Sequence, residues 1–169
     1  RRADPLPAEL SARIAALGFL SAAAMGSVYQ FTAQFPLVHR GWEPGPYSLL
    51  VLTAGVLGVL GNILAGRLGD RGGRRVVGRA FLVEFPVFAW AVFRTEGALL
   101  AVSWGFMVLA LTASTTILRT FATELFPTAY RGTSTGCLTM METLGAGVGL
   151  GLATVGMRAG LSLPWVLSL

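Results

Sequence analysis

The sequence predicts an all-α fold, a polytopic transmembrane helical bundle, and three observations carry that prediction. Of 169 residues, 54% are hydrophobic and 12% charged, with a mean hydropathy of +0.68, a composition foreign to soluble domains. Stretches free of Asp, Glu, Lys and Arg run over 14–38, 47–66, 97–118 and 132–141, the last continuing past Glu142 to Met157. Several reach the roughly 20 residues a helix needs to cross about 30 Å of hydrocarbon. Finally, Arg67, Arg71, Arg74, Arg75 and Arg79 crowd a short segment between two apolar runs. Such short arginine-dense segments stay on the cytoplasmic side.

Taken in order, residues 1–13, with Pro5 and Pro7, read as a polar cytoplasmic lead-in or the end of an interdomain linker. The first span, 14–38, goes out; it is too long for the apolar core of a cleaved signal peptide, about 7–15 residues. The segment His39–Pro46 carries turn formers and Trp42, which suits headgroup depth. A second span, 47–66, returns. Gly66–Arg75 makes the inner loop, where glycines permit the reversal and Asp70 is expected to pair with Arg71, Arg74 or another loop. Span three, 76–93, goes out, interrupted by Glu84 and Pro86; Arg94 to Glu96 turns it back into span four, 97–118. Arg119–Arg131 forms a second inner loop, in which Glu124 ends one span and Pro127 stops helix continuation. Span five, 132–157, leaves again. Residues 161–169 begin a sixth, only about 13 Å of helix at the usual rise, so the chain is expected to be part of a longer protein.

This alternation places ten of the thirteen arginines on the inner side and only Arg40, Arg94 and Arg158 outside. A nucleic-acid surface would need its bases on one soluble face, so the net charge of +5 reflects membrane orientation. Cys137 is the only cysteine, which excludes a disulfide framework and thiol metal sites. An enzyme is not expected: His39 is the lone histidine and sits in an outer turn, and the glycine-rich loop follows a span rather than the strand a nucleotide cradle requires. No cofactor and no metal are implied.

Within the spans, Gly145 and Gly149 have the small-xxx-small spacing that lets helices approach closely, and Gly58, Gly61 and Gly66 mark a similar face on the second span. Polar groups inside spans serve cavities or packing. Tyr29, Gln30, Thr32 and Gln34 supply such groups on the first span, and Asn62 reads as a packing group on the second. Glu142 lies near mid-bilayer depth, where a carboxyl is either a proton carrier or a paired structural acid. Glu84 reads as structural.

Two motifs now stand together: Gly66-Arg-Leu68-Gly-Asp70-Arg71-Gly-Gly73-Arg74-Arg75, of the form GxLxDRxGRR, and Glu124-Leu-Phe-Pro127-Thr-Ala-Tyr-Arg131-Gly132, of the form ExxPxxxRG. Between these pairs of spans they resemble the major facilitator superfamily, the second motif its sugar-porter and metabolite:proton symporter branches. The resemblance implies twelve helices in two six-helix halves of inverted repeats, with substrate bound near the midplane between them. This chain would be one half, residues 14–169, and the form of its second loop resembles the C-terminal half. Its partners would be the N-terminal half, the lipid bilayer, a small solute and a proton. By position, Asp70, Arg71, Arg74, Arg75, Glu124 and Arg131 would form the cytoplasmic charge network that steadies the outward-open state. Gly66, Gly73, Pro127 and Gly132 would shape the loops that move, Tyr29, Gln30 and Gln34 would touch substrate, and Glu142 would couple the proton. The expected function is secondary active transport of a small organic solute, such as a sugar or organic acid, by alternating access, in the bacterial inner membrane with a cytoplasmic N-terminus. A receptor or scaffold keeping the same bundle without flux is the alternative, and a channel a third reading.

Overall fold

A computed structural model of the chain describes residues 8–159. Five long helices account for nearly all of them: α1 (Ala8–His39), α2 (Pro44–Gly72), α3 (Arg74–Arg94), α4 (Gly97–Glu124) and α5 (Arg131–Arg158), with one 3-10 turn, Thr128–Tyr130, ahead of α5. No strand occurs among the described residues. Each of the five helices is long and apolar enough to cross a membrane, so the fold is an all-α helical bundle of a multi-pass membrane protein. Helix is what a bilayer demands, because every backbone polar group must find its partner within the span. The expected lead-in before 8 and the incomplete sixth span, 161–169, lie outside the described residues.

All five helices overrun or fill the apolar runs that announced them. α1 begins at Ala8, inside the expected lead-in, and Glu9 and Arg13 form an exposed ion pair one turn apart, 3.7 Å. The larger correction concerns the arginine-rich segment, expected as a ten-residue loop. α2 continues through Gly66, Gly69 and Asp70 to Gly72, and α3 starts at Arg74, leaving Gly73 alone between them. Gly73 has φ +84°, a conformation that costs glycine little and any other residue more. Gly66 and Gly132 are therefore helical residues, in α2 and α5, and not loop positions. The physical reason is that charged side chains at headgroup depth are solvated without unwinding the backbone, so a helix has no cause to stop where hydrocarbon does. Likewise α3 runs unbroken through Glu84 and Pro86. α4 extends past Leu118 to Glu124, which moves Arg119 from the expected loop onto a helix.

The described residues fall into two compact units, one within Arg1–Ser27 and Leu118–Leu169, the other Val28–Ile117. In the second, the buried residues of α2 are Leu50, Ala54, Gly58, Gly61, Ala65 and Gly69, spaced by three and four and so confined to one face. That face meets α4. A methyl group on Gly61 would lie 2.5 Å from the Leu109 carbonyl oxygen and 2.5 Å from Thr112 Oγ1. The absence of one lets Thr112 donate to the Gly58 carbonyl at 2.9 Å, and Thr116 donates to Asn62 Oδ1 at 2.7 Å. Asn62 is thus a packing group, as expected, whereas Gly66 is exposed and faces open space. α3 buries Gly78, Phe81, Phe85, Ala89 and Val92.

In the first unit the seam runs between α1 and α5. A Cβ on Gly145 would collide with the Phe19 carbonyl, and one on Gly149 with the Ala23 carbonyl, so the small-xxx-small spacing does bring two backbones together. Ile14, Ala122, Phe126 and Leu138 form an apolar cluster beside it.

Two substitutions separate contact from composition. Gly61→Val should destabilise the protein by about 1–3 kcal/mol, because α4 backbone must shift to admit the branch. Gly147→Ala, on the same glycine-rich α5 but facing open space, should be neutral or stabilising by up to about 1 kcal/mol. Unfolding in mixed micelles, followed by circular dichroism, measures both.

Candidate functional site

The polar residues of α1 divide between two environments. Tyr29 stacks on Trp104 of α4, with ring centroids 6.2 Å apart and planes 11° from parallel. Trp104 is 1% exposed, and its indole N–H has no hydrogen-bond partner among the described residues. One turn on, Thr32 is fully buried, donates to the Val28 carbonyl at 2.7 Å and lies 3.6 Å from the sulfur of Met107. Tyr29 therefore belongs to a packed seam between α1 and α4. Gln30 and Gln34, four residues apart, present their amides on the exposed side of α1, where an apolar helix gains nothing from them unless another polar group meets them.

Among the described residues Glu142 is a strongly enclosed acid, its side chain 14% exposed, on α5 about 16 Å from the helix start at the usual rise. It is paired. The guanidinium of Arg119 on α4 donates to Glu142 Oε2 at 3.2 Å, while the other carboxylate oxygen is buried without a hydrogen-bond partner among the described residues. Arg119 itself is 57% exposed. Apolar surroundings make such a pair matter in one direction especially: removing the cation leaves a carboxylate with neither water nor partner. The sequence alone marks Arg119 only as an inner-loop charge. The signal that could have found it is Glu142 itself, since an acid at that depth requires a cation within reach.

The two motif corners are built differently. At the α2–α3 corner, Arg74 donates to Asp70 Oδ1 at 3.1 Å, and the methylenes of Arg74 pass over Gly69, whose missing Cβ would stand 3.3 Å from Arg74 Cγ. Asp70 is 68% exposed and Arg74 25%. Of the partners expected for Asp70, Arg74 is the one it takes. Arg71 and Arg75 are exposed. At the α4–α5 corner, Glu124 is the last residue of α4, Pro127 has an extended backbone (φ −54°, ψ 150°) and Tyr130 N–H closes on the Pro127 carbonyl at 2.9 Å. Arg131 opens α5 and turns back, its Nε donating to the Phe126 carbonyl at 3.4 Å. Asp70, Arg71, Arg74 and Arg75 belong to one compact unit, Glu124 and Arg131 to the other.

A third polar group escaped the sequence. Where α1 ends, Arg40 pairs with Glu96 before α4, donates to the Phe93 carbonyl at 3.4 Å and lies 5.4 Å over the Phe35 ring. Phe35 in turn meets Phe93 edge to face at 4.9 Å. His39, expected in the turn, is the exposed last residue of α1, 5.3 Å from Phe35. Nothing local in the sequence ties residue 40 to residue 96; only the antiparallel return of the helices does.

The Arg119–Glu142 pair makes a sharp prediction. Arg119→Ala should destabilise by about 1–3 kcal/mol, the cost of an orphaned buried acceptor, and adding Glu142→Gln should return part of that loss. A double-mutant cycle on thermal unfolding reads the coupling directly, and additive losses would mean the pair is too solvated to matter.

No family model, no curated protein and no solved structure matches this chain, so its function is read from its own residues.

Proposed function

We propose that this chain is one half, by the form of its second loop the C-terminal half, of a secondary active transporter of the major facilitator type. It moves a small organic solute, a sugar or organic acid, across the cell membrane by alternating access coupled to a proton. The observation that carries the reading is an acid held among apolar helices. Glu142 shares one oxygen with Arg119 and keeps the other buried without a partner. Ionisable groups are costly in a span and are kept there for what they do. A carboxyl group that exchanges a guanidinium for a proton changes what holds α4 to α5, which is how a proton can be tied to a change of shape.

The two corners support the same reading. The acid and arginine of each motif fall where helices meet: Asp70 with Arg74 across Gly73, and Glu124 and Arg131 either side of the Pro127 turn. In the proposed topology the N-terminus and both corners are cytoplasmic, and the Asp70–Arg74 pair at one corner, and Glu124 and Arg131 at the other, each steady their own corner on the inner side. Gln30 and Gln34 on α1 offer amide donors and acceptors suited to hydroxyl or carboxylate groups of a solute, while Tyr29, stacked on Trp104, braces the helix behind them. The Gly73 hinge and the Pro127 turn would take up the backbone change.

Proteoliposomes holding the full-length protein test this with a panel of labelled hexoses and organic acids under an imposed pH gradient. A transported solute should accumulate against its gradient in the wild type. Glu142→Gln should abolish accumulation yet retain exchange of solute for solute. Asp70→Asn and Arg131→Gln should each cut uptake while insertion into the membrane stays normal. Accumulation by Glu142→Gln equal to wild type would remove the coupling role, and binding without flux would make the protein a receptor.

A further inference from the structure

Arg67, Arg71, Arg75 and Arg79 recur every fourth residue across the α2–α3 corner, and all four are exposed. Because α2 stays helical to Gly72 and α3 begins at Arg74, Arg67 and Arg71 share one face of α2, and Arg75 and Arg79 one face of α3. On α2 they prolong the exposed apolar stripe of Val56, Leu60, Ile63 and Leu64. On α3 they precede the exposed stripe of Leu82, Val83, Val87 and Trp90. A face that is apolar for most of a membrane helix is turned to lipid, so the four guanidinium groups terminate lipid-facing stripes.

Depth follows from the helix rise. Arg75 and Arg94 bracket the exposed side of α3 and stand about 28 Å apart along its axis, close to the roughly 30 Å of a hydrocarbon core. At the far end, Arg94 lies 5.0 Å over the ring of Trp90, the pairing of cation and indole that interfaces favour. Arg75 is thereby placed at the opposite headgroup layer, and Arg79, one turn inward, reaches it by extending its long side chain. None of the four pairs with an acid among the described residues, and Asp70, the acid of the corner, is held by Arg74. Four cations at headgroup depth, flanked by Leu64, Leu68 and Val76, all exposed, complement a ligand that is anionic at its head and apolar in its tail.

We propose that the α2–α3 corner is a binding site for anionic phospholipid, with the lipid phosphate received by Arg67, Arg71, Arg75 and Arg79 and the acyl chains along the exposed stripes of α2 and α3. The Asp70–Arg74 pair keeps an acid from neutralising this site. The assignment requires that α2 and α3 span the bilayer with these stripes turned to lipid rather than to another half of the protein, and it makes no use of transport.

The test uses the purified protein in neutral detergent, with phosphatidylglycerol, phosphatidylcholine or inorganic phosphate added, and native mass spectrometry to count retained lipid. Phosphatidylglycerol should be retained over phosphatidylcholine, each arginine contributing up to about fivefold. The quadruple change to Gln should bring the two lipids level, and the quadruple change to Lys should keep the preference, since a phosphate accepts a point charge. A control carrying Arg13→Gln, Arg94→Gln and Arg158→Gln should also keep it. Should the quadruple Gln protein not fold, Arg67→Gln with Arg71→Gln, and separately Arg75→Gln with Arg79→Gln, should each weaken the preference. Equal retention of both lipids by the wild type, equal loss in the control, no effect of either pair, or displacement of lipid by equimolar inorganic phosphate would overturn the proposal.

Discussion

Close approach of helix backbones is the constraint on which the rest of this structure depends. In lipid there is no hydrophobic gain from bringing two apolar helices together, so association rests on dispersion contact and hydrogen bonds between helices. Both need short distances. Gly61 admits the Leu109 carbonyl and Thr112, and Gly145 and Gly149 admit the carbonyls of Phe19 and Ala23. The same proximity turns threonine into an interhelical clasp: Thr112 reaches the Gly58 carbonyl and Thr116 reaches Asn62. Helices held that closely carry their remaining polar groups to fixed partners, which is why Arg119 finds Glu142.

The charged groups then sort by how much water they keep. Asp70 and Arg74 form a pair that is two-thirds exposed on its acid side, and pairs of that kind contribute about 0–1 kcal/mol. Such a pair does not hold the fold. It sets which cations of the corner remain available, and leaves four arginines at the surface. Glu142 is different because its side chain is nearly enclosed, so its pairing with Arg119 is screened far less by water and its loss costs more. Between these extremes stands Arg40, whose cation rests on an aromatic ring while also meeting Glu96 and the Phe93 carbonyl. Each of its three contacts comes from a different kind of chemistry, and together they join the end of α1 to the α3–α4 turn.

Much of the fold was legible because membrane helices announce themselves by uninterrupted apolar length. The five spans were each placed within a few residues at most ends, and the Gly145–Gly149 contact was visible in spacing alone. Boundaries were less legible, since hydropathy marks where hydrocarbon ends and not where hydrogen bonding does. That is why the sequence marks Arg67 to Gly72 and Arg119 to Glu124 as loop although both segments are helical. Of the candidate site, the Asp70–Arg74 pair was legible as one of several local options. The partner of Glu142 was not, because residues 119 and 142 lie on different helices and meet only through their packing.

The sequence by itself therefore determined an all-α membrane protein, its number of described spans and the small-residue faces that form its seams, because composition and periodicity are local properties. Only the tertiary structure decided which polar groups meet: Arg119 with Glu142, Arg40 with Glu96, Tyr29 with Trp104. Those pairings depend on the rotation and registry of one helix against another, and that registry is set by the summed contact of whole faces rather than by any residue alone.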